Sequence, residues 1–286
     1  MAQSTRTPSP LRTGMNPEGN KHATVSDYRE FPVPALLANH FLCFWTQRIV
    51  GSGEYAHSVL PDCCIDIVFI NDELPIVVGP WTDPFIAKFS GGAGITGVRL
   101  RPGYAPSVLG VPASELLNLS IPLPILWGRR RTEPFIRIQE ERHLTARRLA
   151  LSEVLSNSFA SAAPPDETII RSMRWLARYA HGRVGQLSRL TGISDRQIHR
   201  RFSAAIGYGP KMFQSVLRFQ RFLLLGEGQS NWQTLADRGT FAGYADQSHM
   251  TREVHRFTGR PPTAVLKTAK CTLRFSDLLN ASSCDL

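Results

Sequence analysis

Two stretches of this chain repeat each other at an offset of 52 residues, and the repeat constrains the fold more than any other feature. The first is RVGQLSRLTGISDRQIHRRFSAAIGYGP. Val184, Leu187 and Leu190 share one side of a helix. Thr191-Gly192 ends it, because glycine accepts the left-handed conformation that follows a helix. Ser194 then opens a second helix with Gln197 three residues on, the spacing of a capping box. The second stretch is WQTLADRGTFAGYADQSHMTREVHRFTGRPPTAV, with Asp246 as N-cap of a helix over 246–257. Ile198, Phe202 and Ala205 make the apolar stripe of one helix; Met250, Val254 and Phe257 make that of the other. Helix, tight turn, helix is the pattern of a helix-turn-helix. Between the copies, PKMFQSVLRFQRFLLLGEG reads as one long helix that sets their separation.

At about 100° per residue, Arg196 and Arg200 point almost opposite to Ile198, with Gln197 and His199 beside them. Ser248, His249, Thr251, Arg252, His255 and Arg256 lie on the outward face of the second helix. Arginine and glutamine are side chains that bridge guanine and adenine edges in a major groove. Taken alone, the first helix reads equally well as a solvated polar face. Arg201, near the edge of the buried stripe, is expected to serve phosphate or packing.

The charge follows the repeat. Residues 1–165 carry 15 Lys/Arg against 14 Asp/Glu, whereas residues 166–270 carry 17 against 7. A neutral part and a basic part point to a phosphate footprint on the second. Cys43, Cys63, Cys64, Cys271 and Cys284 make an odd number without a CxxC, so a disulfide framework is excluded and a reducing cytoplasm is expected.

Five segments follow. Residues 1–25 read as a disordered tail without the apolar core of a signal peptide. Residues 26–160 hold short Val/Ile-rich runs, HSVLPDCCIDIVFI, PIVVGPW and ITGVRLRPG, punctuated by turn residues, which predict β-strands. VPASELLNL reads as a short helix and EERHLTARRLALSEVLSNSFA as a longer one, with Leu144, Leu151, Val154 and Leu155 near one stripe. That longer helix either dimerises or packs on its own domain. SAAPPDE at 161–167 is the expected linker, 168–270 the helical domain and 271–286 a tail. The most apolar early run, FPVPALLANHFLCFW, is broken by two prolines and a histidine, so no membrane span is expected.

His57, Asp62, Cys63, Cys64 and Asp66 suggest a metal or thiol sensor. Strand alternation would put Asp62, Cys64 and Asp66 on one face and Cys63 and Ile65 on the other, splitting the set. A Pro61-Asp62 turn feeding a strand with small buried thiols is the preferred reading, and no metal or cofactor is assigned. Tyr55, Trp81, Phe85, Arg99 and Tyr104 are candidates for an effector pocket, against the competing reading of plain core.

Residues 168–267 resemble the DNA-binding domain of AraC/XylS-type transcriptional regulators. The resemblance rests on SDRQIHRRFSAAIGYGP, RFQRFLLL and LADRGTFAGYADQSHMTREVHRFTGRPP. Met250 and Val254 stand where that family usually has aromatic or aliphatic residues. The resemblance places base reading on Arg196, His199 and Arg200 in the first helix, and on Gln247, Ser248, His249 and Arg252 in the second. HSVLPDCCIDIVF, VVGPW and GVRLRPGYAPSVLGVPASEL resemble an uncharacterised N-terminal domain of some such regulators. By analogy that domain is a small cupin-like β-barrel with helices. The implied fold is α+β, with a C-terminal all-α domain of two helix-turn-helix motifs joined by a long helix.

The implied function is control of transcription, with double-stranded promoter DNA, RNA polymerase, a small-molecule effector and a second copy of the chain as partners. Helices held ~34 Å apart would enter successive major grooves, or would bend the DNA. A DNA-targeted enzyme with a cupin-like catalytic or alkylation-repair module is the main alternative. It lacks support, because CxxC, HExxH, a Gly-rich phosphate loop and a nucleophile–base set are all missing from the sequence. A basic face that binds an acidic protein is the third reading.

Overall fold

The computed structural model describes residues 24–159, 162–179, 182–227 and 234–269; the two expected tails, apart from Thr24 and Val25, lie outside them. The N-terminal part contains β1 (Val25–Pro32), β2 (Phe41–Val50), β3 (Glu54–Val59), β4 (Asp66–Ile70), β5 (Ile76–Val78), β6 (Phe85–Ser90), β7 (Gly94–Leu100) and β8 (Ser120–Pro122). Helices α1 (Ala105–Leu109), α2 (Leu123–Arg137) and α3 (Leu144–Phe159) complete it. Six strands pair in the order β1-β2-β7-β4-β5-β8, all antiparallel, while β3 and β6 pair only with each other. The domain is β-rich, as expected, but its two sheets do not close into a barrel. β1 and β8 remain the edges of the larger one.

The register divides the large sheet into two unlike faces. Phe31, Phe44, Val98, Ile67, Val77 and Ile121 form one row across it. The middle four are fully buried against Leu109, Leu123, Leu151, Leu155 and Phe159 from α1, α2 and α3. Each such side chain contributes roughly 1.5–3 kcal/mol by leaving water. α3 therefore packs on its own domain. The opposite face carries Glu30, Trp45, Gly97, Val68 and Ile76 in one row and Cys43, Arg99, Asp66 and Val78 in the next. The β3–β6 pair packs on it through Phe89, and the Asp62 loop reaches Arg99 on it. A Cβ at Gly97 would overlap the Trp45 ring, so the indole lies flat where β7 has no side chain.

The C-terminal part is helical: α4 (Glu167–Arg178), α5 (Leu187–Thr191), α6 (Asp195–Ile206), α7 (Pro210–Glu227), α8 (Leu235–Ala242), α9 (Gln247–Thr258) and α10 (Pro262–Thr268). α6 and α9 have equal length at the 52-residue offset. Gly207 and Gly259 end them in the left-handed region, at φ 101° and 66°, and Pro210 and Pro262 open the helices that follow. Only glycine takes that conformation without strain. Phe202 meets Phe213 at 5.7 Å and Phe219 meets Phe257 at 5.3 Å, so α7 packs against both α6 and α9. With 18 residues, α7 is about 27 Å long at 1.5 Å per residue.

The two parts share a core. Cys63, Cys64 and Tyr104 belong to the same buried cluster as Ile170, Met173, Phe202, Ile206 and Tyr208. Gln220, fully buried on α7, donates from Nε2 to the Pro61 carbonyl at 2.6 Å.

Candidate nucleic-acid interface

α6 buries Ile198, Phe202, Ala205 and Ile206 and leaves Arg196, Gln197, His199 and Arg200 exposed. Its entry is fixed by a reciprocal cap. Ser194 Oγ accepts the Gln197 N–H, and the Ser194 N–H donates to Gln197 Oε1. The Gln197 amide is thus committed to the backbone. No carboxylate pairs with Arg196 or Arg200 among the described residues, so both guanidiniums are available to an external anion or base edge. The His199 ring lies over Gly209, in the turn that leads to α7.

α9 repeats the arrangement with differences. Met250, Val254 and Phe257 are fully buried, and Gln247, Ser248, Thr251 and Arg252 are exposed. Arg252 has no acidic partner among the described residues. Asp246 caps the helix by accepting the His249 N–H at 2.7 Å. His249 is half-buried, stands edge-on to Tyr244 at 5.4 Å, and its Nδ1 accepts the Ala245 N–H at 3.5 Å. It therefore supports the turn as well as the surface. The turn is one residue longer than in the first copy: two residues separate Gly192 from α6, and three separate Gly243 from α9. Tyr244, almost completely buried, fills the extra position.

Arg201 does not face outward. Its Nε and Nη2 donate to the two Asp166 carboxylate oxygens, each at 2.6 Å. Asp166 also caps α4 by accepting the Thr168 and Ile169 N–H groups. Burial pushes its carboxyl up, but the Arg201 guanidinium and the two backbone donors outweigh that and hold it below the usual range. On the second copy, Glu253 is buried and accepts from Arg218 at 3.1 Å. Neither pair was visible in the sequence, because each joins residues 35 apart on different elements.

The candidate effector residues are only partly brought together. Tyr55, His57 and Phe89 lie half-buried on one side of the β3–β6 pair, and Phe89 packs against Trp45 and Val68 of the large sheet. Trp81 stacks on Phe85 at 4.1 Å and 7°. Arg99 faces this layer, bidentate to Asp66 at 3.1 Å and 3.6 Å from Asp62. Burial and Arg99 both lower the His57 pKa, favouring the neutral ring. Tyr104 sits elsewhere, edge-on to His40 at 5.7 Å and in the core shared with the helical part.

The strand expected through Asp62–Asp66 starts only at Asp66, and Cys63 has φ 64°, so the alternation inferred for these residues does not hold. Asp62 and Asp66 meet on Arg99 instead. Cys63 and Cys64 are buried, and burial pushes both thiols well up, which disfavours the reactive thiolate. The Tyr208 hydroxyl adjoins the Cys63 thiol. No group of three His, Cys, Asp or Glu placed to hold a metal occurs among the described residues. None of the described helices is long and apolar enough to cross a membrane.

Comparison with known proteins matches two separate stretches of the chain. A helix-turn-helix domain model matches residues 187–268, from α5 to the end of α10. A domain of unknown function, DUF6597, matches residues 29–122, most of the β-rich part. No curated protein matches the chain. Among solved structures, that of an apo ToxT variant from Vibrio cholerae is loosely similar, with a TM-score of 0.43 and 10% identity over 88% of this chain and 99% of that one.

Proposed function

We propose that this chain, a DNA-binding transcriptional regulator of the AraC/XylS type, reads promoter DNA with Arg196, His199 and Arg200 in one major groove. Gln247, Ser248, His249 and Arg252 read the next. The observation that carries this is the pair of unpaired arginines, Arg200 and Arg252, at equivalent places on two capped, exposed helices. His199 and His249 contribute less, because each ring is partly held by its own turn. The DNA-binding part acts in the cytoplasm and recruits or blocks RNA polymerase. The β-rich domain senses a small molecule between its two sheets, with Tyr55, Trp81, Phe85 and Arg99 as contacts. Support for this comes from the polar, aromatic character of that layer and from the Trp45 indole N–H on it, which has no hydrogen-bond partner among the described residues. Tyr104, at the seam between domains, would respond to the ligand and not touch it.

The test is selection of a duplex from a randomised pool by the full chain, then titration at fixed salt. Strong preference for the selected duplex over a scrambled one supports the reading. Arg200→Ala should weaken specific binding by about 1–3 kcal/mol and relax one base position. An equal loss on every sequence would make Arg200 a phosphate contact.

A further inference from the structure

The two ion pairs that hold the recognition helices occupy equivalent places in the repeat, with their charges exchanged. Arg201 on α6 pairs with Asp166 at the start of α4. Moving both by 52 residues gives Glu253 on α9 and Arg218 on α7, which also pair. The supports match as well. Asp166 caps the helix on which the first copy rests, and the C-terminal part of α7 takes that place for the second.

The exchange says what position 201 is for. If Arg201 met a phosphate, its counterpart would meet one too, and Glu253 would be repelled. One residue earlier the sign is kept: Arg200 and Arg252 are both cationic and both exposed. Sign therefore matters at 200/252, and pairing matters at 201/253. The two positions lie about 100° apart around each helix. An apolar stripe holds a helix down without directional preference, whereas a bidentate guanidinium–carboxylate pair has fixed geometry. Fixing one side of the helix fixes where the neighbouring arginine points.

We infer that Asp166–Arg201 and Arg218–Glu253 are positioning pairs for DNA reading: each sets the rotation of its recognition helix and touches no DNA. The inference rests on the DNA-reading assignment above.

The test uses the full chain and the duplex it selects from a randomised pool, titrated over a series of salt concentrations well below the melting temperature. Glu253→Arg places two guanidiniums together and should weaken binding about tenfold or more. Adding Arg218→Glu restores the pair with the polarity of the first copy and should recover binding to within about threefold. On the first copy, Arg201→Met and Asp166→Ser should each weaken binding by a similar factor, serine keeping the N-cap while losing the charge. Both should lower the ratio of selected to scrambled affinity at an unchanged salt slope. A salt slope smaller by about 1 for Arg201→Met would make it a phosphate contact. Wild-type affinity and base preference in Asp166→Ser would overturn the proposal even if the charge-reversed double variant did not fold. So would a lowered melting temperature with an unchanged affinity ratio, since that is the mark of stability alone. A wild-type chain that enriches no duplex would sink the DNA-reading assignment itself, whereas enrichment without rescue sinks only the positioning pairs.

Discussion

The first and second helix-turn-helix copies share a stripe, a cap and a glycine stop, yet they are held in place by different neighbours. The first backs onto the β-rich domain. Gly207 at the end of α6 lies against Pro80 and the Ala113 carbonyl, and Gly103 lies against Ile170 and Met173 of α4. Cys63 and Cys64 pack into the same core as Phe202 and Ile206. The second copy is braced by α7 through Arg218–Glu253, and a Cβ added at its glycine stop, Gly259, would only just reach Pro84 of the β-rich domain, at 4.0 Å. The ion pairs differ in the same sense: side-chain exposure is 34% and 28% for Arg201 and Asp166, but 13% and 9% for Arg218 and Glu253. A shift in the β-rich domain would therefore reach α6 by direct packing and α9 chiefly through α7.

That contrast breaks most visibly at the ion pairs. Arg218→Ala leaves Glu253 buried without its partner and should destabilise the chain by about 3–5 kcal/mol in chemical denaturation. Arg201→Ala, at a half-exposed pair, should cost well under half as much, since water can take over the carboxylate. Equal losses would mean the two copies are supported alike.

The coupling itself is tested at Gln220. Its amide reaches from the middle of α7 to the Pro61 carbonyl, in the loop that also presents Asp62 to Arg99. Gln220→Leu leaves that carbonyl unsatisfied and should cost about 1–3 kcal/mol. In duplex selection it should blur the bases read by α9 more than those read by α6. Blurring of both half-sites alike would place the coupling on α7 as a whole.

Much of this was legible in advance because the repeat is local. Glycine stops, caps and apolar stripes are each set by residues within one turn of one another, so the helices of both copies could be read directly. The pairs Asp166–Arg201 and Arg218–Glu253 could not, since nothing in the spacing says which surface charge folds under. Closure of the sheets was equally hidden, because it depends on whether β1 meets β8, far apart in sequence. The sequence alone groups Tyr104 with Tyr55 and Arg99, because aromatic side chains in a β-domain do not reveal which layer they face. Strand alternation failed at Cys63, where a single left-handed residue resets the pattern.

Acid sharpens the comparison of the two copies more gently. The folded Asp166 carboxyl lies below its ordinary value, so its contribution is complete above the unfolded pKa of about 3.9 and is lost as pH falls through the lower folded value. The stability gap between the wild-type chain and Asp166→Ser should therefore be constant near neutrality and close only below about pH 4. A gap that closes between pH 5 and 7 would show that some other group carries the linkage.

The smallest effect belongs to the β3–β4 loop, which packs at the seam with the helical part. Cys64 Sγ donates to the Asp62 carbonyl at 3.4 Å, a bond that a serine hydroxyl can also make, and its thiol is buried and pushed up in pKa. Cys64→Ser should shift stability by less than about 1 kcal/mol and leave affinity for the selected duplex unchanged. Treating the wild-type chain with peroxide should do no more. A large loss on oxidation, abolished by Cys64→Ser, would mean that the loop opens far enough to expose the thiol. The close packing of the β-rich domain on the first copy would then be one of two states and not a fixed seam.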